Sequence, residues 1–139
     1  RFVSCSSDKS IVVYDGKEGT KTSVLPDAHK GGVYGVDWSP DGTKLVSVSA
    51  DKTCKIWDMN TAQVIQTTTI GSDTGDQQVG CCWVNDWVLS VSLDGSINYI
   101  DGKGESDKPL QVLAGHNKFV TGLAYDPQAK AFYTGRGFF

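Results

Sequence analysis

The sequence predicts an all-β fold of the β-propeller kind, about three blades of four antiparallel strands, and three observations predict it. A ten-residue pattern recurs: SSDKSIVVYD at 6–15, SADKTCKIWD at 49–58 and SLDGSINYID at 92–101. Its closing aspartates (Asp15, Asp58, Asp101) and its inner ones (Asp8, Asp51, Asp94) all keep a step of 43 residues. Apolar residues alternate with polar ones at a period of two, as in half-buried strands, and no stretch has helical periodicity. Four short strands in a period of this length suit a blade, a sheet set radially round a central channel.

The unit after residue 27 shows each element in turn. GVYGVDW at 32–38 is the first strand, with Val33, Val36 and Trp38, and it runs into the turn SPDG. KLVSVS at 44–49 alternates, Val46 and Val48 on one face and Leu45, Ser47 and Ser49 on the other. Asp51-Lys52 makes a tight turn, and its counterpart Asp94-Gly95 is a strong hairpin dipeptide. TCKIW at 53–57 is the third strand, and the β-branched run AQVIQTTTI at 62–70 is the fourth. The blade parts are expected at about 1–26, 27–69, 70–113 and 114–139.

Bulk properties narrow the function classes. The formal net charge is −3 with scattered Lys and Arg, which argues against nucleic-acid binding, where clustered basic residues are needed. No apolar run approaches the ~18 residues of a membrane span. Arg1 to Cys5 already reads as a strand and the only methionine is Met59, so the chain is expected to begin inside a larger protein. Cys5, Cys54, Cys81 and Cys82 form no C-x-x-C pair, and each falls in an apolar strand pattern that suits a small buried hydrophobe. Free thiols of that kind favour a reducing compartment. The glycine-rich loops KEGTK (17–21) and DGKGESDK (101–108) lack the strand-to-helix context of a phosphate cradle and read as turns.

The residues IWD at 56–58, AH at 28–29 and Gly115-His116 resemble the WD-repeat family, whose repeat opens with Gly-His and closes with Trp-Asp. The resemblance implies a hydrogen-bonded ladder within a blade, made here by His29, Ser49, Asp51 and Trp57. A buried aspartate needs such donors. In the first unit the matching residues are Ser6, Asp8 and Tyr14. The third has Ser92 and Asp94 but Ile100 in place of Trp. In the fourth, Arg136 and Phe138 fall at the Ser and Asp positions. A Ser–His–Asp set also raises the reading of a hydrolase triad. The Ser and Asp recur with the period, which a catalytic set need not do, and no nucleophile-elbow glycines surround Ser49.

The stretches between the motifs are more particular. GSDTGDQQVGCCW (71–83), VLSVSLDGSINYID (88–101) and KPLQVLAGHNK (108–118) resemble the actin-interacting branch of the WD-repeat family, the cofactors of cofilin. That resemblance implies two propellers side by side and, as partners, actin filaments and cofilin. It implies promotion of filament disassembly in the cytoplasm at the actin cytoskeleton. It implies no enzymatic activity, no cofactor, no small-molecule substrate, no nucleic acid and no membrane. The alternative is a WD-repeat scaffold of another kind, such as a ubiquitin-ligase adaptor or signalling platform. Partner-facing loop residues are expected among Asp27, Lys30, Lys52, Asp73, Asp76 and Lys118. Three blades cannot close a ring, so exposed sheet faces and edges are expected to make this stretch aggregate when isolated.

Overall fold

The computed structural model describes residues 1–116 and 120–135. The chain is all-β, with 13 antiparallel strands and a single 3-10 turn, Thr74–Asp76, among the described residues. Three strands, β1 (Phe2–Cys5), β2 (Ile11–Tyr14) and β3 (Lys21–Leu25), form the first sheet. The second is a meander of β4 (Val33–Trp38), β5 (Lys44–Ser49), β6 (Thr53–Asp58) and β7 (Gln63–Thr69). The third repeats that order with β8 (Gln78–Val84), β9 (Trp87–Ser92), β10 (Ser96–Asp101) and β11 (Gln111–Ala114). β12 (Gly122–Asp126) and β13 (Ala131–Gly135) make a final pair.

The alternation within β5 explains how the sheets stack. Val46 and Val48, with Cys54 and Ile56 of β6, pack against Trp83, Val88 and Ile100 of the third sheet. Leu45 and Trp57, on the opposite face, pack against Ile11 and Leu25 of the first sheet, with Ala28 and Val33. The second sheet is therefore buried on both faces. Burying one aliphatic side chain of this size contributes about 1.5–3 kcal/mol, so these two layers are the main source of cohesion.

The inner strands meet most closely at glycine. β4 and β8 each carry a register irregularity near their start, at Val33/Gly35 and Gln78/Gly80. A Cβ on Gly35 would lie 2.9 Å from Val48 Cγ2, 3.1 Å from the Cys81 nitrogen and 3.1 Å from Gly80 Cα. Asp37 ties the same two strands: its Oδ2 accepts a 2.7 Å hydrogen bond from the Trp83 amide.

The recurring aspartate turn has a physical reason for each of its residues. At Ser49-Ala50-Asp51-Lys52-Thr53 the Asp51 amide donates to Ser49 Oγ (3.0 Å), and the Thr53 amide and hydroxyl donate to Asp51 Oδ1 (3.0 and 2.6 Å). Ser6, Asp8 and Ser10 repeat this arrangement, and Ser96 donates to Asp94 in the third sheet. The residue after each aspartate is left-handed: φ is 74° at Lys9, 69° at Lys52 and 94° at Gly95. Glycine fits there without steric cost, which is why the Asp-Gly form is the strongest hairpin signal of the three.

The cysteines are free. Burial pushes the Cys54 and Cys81 thiols far up, and burial with the nearby Asp37 charge pushes Cys82 to about 12. Thiols held protonated in this way are poor nucleophiles.

Candidate functional site

The loops that join one sheet to the next lie on the aspartate turns. Lys30 donates its amide to Asp51 Oδ2 (2.8 Å), Ile70 donates to the Lys52 carbonyl (3.0 Å), and Asp94 donates its amide to the Gly75 carbonyl (3.0 Å). Turns and joining loops therefore share one rim. Beneath that rim in the second sheet runs a buried chain of side chains. Trp57 Nε1 donates to Ser47 Oγ (2.8 Å), Ser47 Oγ meets His29 Nε2 (2.8 Å), and His29 Nδ1 meets Asp51 Oδ2 (3.0 Å). The indole N–H can only donate, so Ser47 Oγ accepts from Trp57, and the Asp51 carboxylate, an acceptor only, takes the proton of His29 Nδ1.

The serine of this chain is Ser47. Ser49, the residue expected there, instead accepts from the Asp51 amide in the turn. The reason is register. Trp57 lies opposite Leu45. Its diagonal neighbour on the same face, two residues along, is Ser47, within reach of a long side chain. Ser49 is four residues along, about 13 Å at ~3.3 Å per residue. Serines recur at both positions with the same step (Ser4, Ser47, Ser90 and Ser6, Ser49, Ser92), so recurrence could not separate them, whereas pairing across the hairpin could.

The same shift of two residues changes the fourth unit. Arg136 and Phe138 lie outside the described residues. At the spacing of His29 to Ser47 the partner of His116 is Thr134, and His116 Nε2 meets Thr134 Oγ1 at 2.7 Å. The third sheet replaces the chain altogether. Gln78 Nε2 donates to Ser92 Oγ (2.8 Å) and to the Asp76 carbonyl (2.7 Å), and Asn98 Nδ2 donates to Ser92 Oγ (2.9 Å) and Gln78 Oε1 (3.3 Å). All three side chains are buried. With Ile100 in the tryptophan slot, the amides of Gln78 and Asn98 supply the donors. The glutamine lies in the DQQ stretch, whose role the sequence did not reveal.

Ser47, His29 and Asp51 have the distances of a catalytic triad, but the surroundings block that chemistry. Ser47 has 0% exposure, and one of its lone pairs is taken by the tryptophan N–H. No carbonyl can approach a nucleophile placed there. The chain instead clamps the joining loop at His29 to the turn at Asp51. Burial would raise the Asp51 carboxyl, but hydrogen bonds from His29 and Thr53, the charge of His29 and the Lys30 amide outweigh it and hold the group well below the ordinary carboxylate range. A carboxyl lowered by folding stabilises the fold above its unfolded pKa of about 3.9. That contribution is lost as pH falls from there through the folded value. Comparing pH 6 with pH 3, Asp51→Asn is therefore expected to be less stable than the parent at pH 6 and to lose less on acidification. Urea midpoints at the two pH values check this; equal acid losses in both proteins would contradict it.

The loop residues expected to face a partner divide in two. Asp27, Lys30 and Asp73 are exposed. Lys52 and Asp76 are engaged within the chain: Lys52 Nζ donates to the Ser72 carbonyl, and Asp76 Oδ2 accepts the Asp73 amide (2.8 Å). Lys118 lies outside the described residues. Among the described residues no cluster of three or more His, Cys, Asp or Glu side chains could hold a metal ion, and no helix is long and apolar enough to cross a membrane.

A family model described as WD domain, G-beta repeat matches residues 19–58 and 107–137. This chain belongs to the WD-repeat family. Its sheets are the blades of that family's propeller, and WD-repeat propellers in general act as non-enzymatic scaffolds. The chain is 51% identical over 122 residues to WD repeat-containing protein 1 of Bos taurus, a match covering 86% of this chain and 20% of that protein. It is 38% identical over 135 residues to Actin-interacting protein 1 of Drosophila melanogaster, covering 96% of this chain and 22% of that protein. The solved "Structure of U3-55K" superposes with a TM-score of 0.74 at 26% identity, covering 85% of this WD-repeat chain and 37% of that one. The chain spans about a fifth of the length of these curated relatives.

Proposed function

We propose that this WD-repeat chain is part of an actin-binding protein that promotes disassembly of cofilin-decorated actin filaments. One observation carries the reading: the likeness to Actin-interacting protein 1 of Drosophila melanogaster extends over 135 residues and 96% of the chain, so it takes in the loops between the motifs as well as the motifs. Blade motifs alone specify a scaffold and no particular task. The partners are actin filaments and cofilin, and the place of action is the actin cytoskeleton of the cytoplasm. The protein catalyses no reaction and takes no cofactor.

The partner-facing surface is the rim where joining loops meet aspartate turns, with Asp27, Lys30 and Asp73 among its exposed charges. The test is a sedimentation assay with the full-length protein. It is expected to increase the actin released from cofilin-decorated filaments and to leave bare filaments largely intact. Unchanged release with cofilin present overturns the reading. Asp27→Lys combined with Asp73→Lys is expected to weaken filament binding several-fold, more at low salt than at high salt, because exposed charges act mainly through screened, long-range attraction. Equal binding by the double variant at every salt concentration would move the contact away from this rim.

A further inference from the structure

The glycine-rich stretch from 101 to 108, a plain turn by sequence, does more than reverse the chain. The equivalent connections are 15–20 in the first blade and 59–62 in the second, whereas in the third blade the connection runs from 102 to 110. Its ends are held by its own blade. Asp101 accepts the amides of Lys103 (3.0 Å) and Glu105 (3.1 Å), and the Leu110 amide donates to the Tyr99 carbonyl (2.8 Å). Its middle grips the neighbouring blade. The Ser106 carbonyl accepts from Gln66 Nε2 and from Thr68 Oγ1 (3.2 Å), and the Asp107 carbonyl accepts the Thr69 amide (3.1 Å). Lys44 Nζ donates to the Gly102 carbonyl (3.3 Å) from the same neighbouring blade.

Both glycines are required by this path. A Cβ on Gly102 would lie 2.7 Å from the Asp86 carbonyl oxygen and 3.1 Å from Trp83 Cζ2. Gly104 has φ +96° and sits over Gln66, whose Oε1 a Cβ would approach to 3.4 Å. Thr68, on an outermost strand, is nevertheless fully buried, and Gln66 nearly so. The start of the segment lines a cleft of about 420 Å³ with Lys44 and Trp83, and its end lines a groove of about 640 Å³ with Thr67 and Ile70.

We propose that residues 102–110 are a latch that clamps the third blade to the outer strand of the second and closes over the edge of the seam between them. The grip consists of a few hydrogen bonds, and no residue of 102–110 belongs to the buried apolar cluster between the two blades. It can therefore open without disturbing the valine layers beneath.

Hydrogen exchange on the full-length protein tests this, with the Thr69 amide as direct reporter. In a Gln66→Ala/Thr68→Val variant, Thr69 and the amides of 102–110 are expected to exchange about tenfold faster or more, the factor that corresponds to one net hydrogen bond. Amides of β5 and β9 should keep their rates. Gly104→Val leaves both gripping side chains in place and is expected to give the same local pattern, because a β-branched residue is strained at that φ. Unchanged exchange at Thr69 and 102–110 in both variants overturns the latch. So does acceleration spread evenly through both blades, which would make the segment an inseparable part of the fold.

Discussion

Ser47→Ala is expected to destabilise the second blade by about 2–6 kcal/mol, since it orphans two buried groups at once and each costs about 1–3 kcal/mol. The Trp57 N–H loses its only acceptor, and His29 Nε2 loses the hydroxyl at 2.8 Å. No water can replace them easily, because Ser47 and His29 are buried within the sheet. The neighbouring serine is the control. Ser49 Oγ accepts one amide bond at 3.0 Å, so Ser49→Ala is expected to cost about 0.5–1.5 kcal/mol. Exchange free energies of the β5 and β6 amides in the full-length protein measure both. If Ser49→Ala proves as damaging as Ser47→Ala, Ser47 is not the hub of this chain.

Gly35→Ala is expected to cost about 1–3 kcal/mol, the usual range for overpacking a filled interior. The added methyl would face Val48 Cγ2 at 2.9 Å, which can rotate away. It would also face the Cys81 nitrogen and Gly80 Cα at 3.1 Å, which are backbone atoms of the next inner strand and cannot. The strands must separate, and the Asp37 bond to the Trp83 amide must lengthen with them. Gly80→Ala provides the contrast, because a Cβ there meets nothing within 4 Å. Thermal unfolding should rank Gly35→Ala well below Gly80→Ala, and labelling of Cys81 by a thiol reagent should be faster in the former. Equal melting of the two variants would show that the inner strands tolerate a wider spacing.

How far each feature could be read from the chain follows from the range of the interaction behind it. The aspartate turn is local: Ser, Asp and Thr within five residues satisfy one another, so the motif was visible as a motif. The two faces of β5 were visible because a period of two assigns every side chain to a face. Ser47 was harder, because the choice between two serines on one face depends on what stands across the hairpin. Gln78 and Asn98 lie twenty residues apart and belong to no recurring pattern; they were found only as neighbours of Ser92. The hold of Ser106 on Gln66 and Thr68 crosses from one blade to the next, and nothing in DGKGESDK announces it.

What the sequence determined by itself was the repeating unit: strand lengths, turn positions and burial on two faces. These are dictated by backbone sterics and by alternation over a few residues. The tertiary structure alone decided which serine joins His29 to Trp57, what fills the third blade in their absence, and how adjacent blades are fastened. Those outcomes depend on the register between strands and the stacking of sheets, where a displacement of two residues moves a hydroxyl by nearly 7 Å and makes or breaks a hydrogen bond.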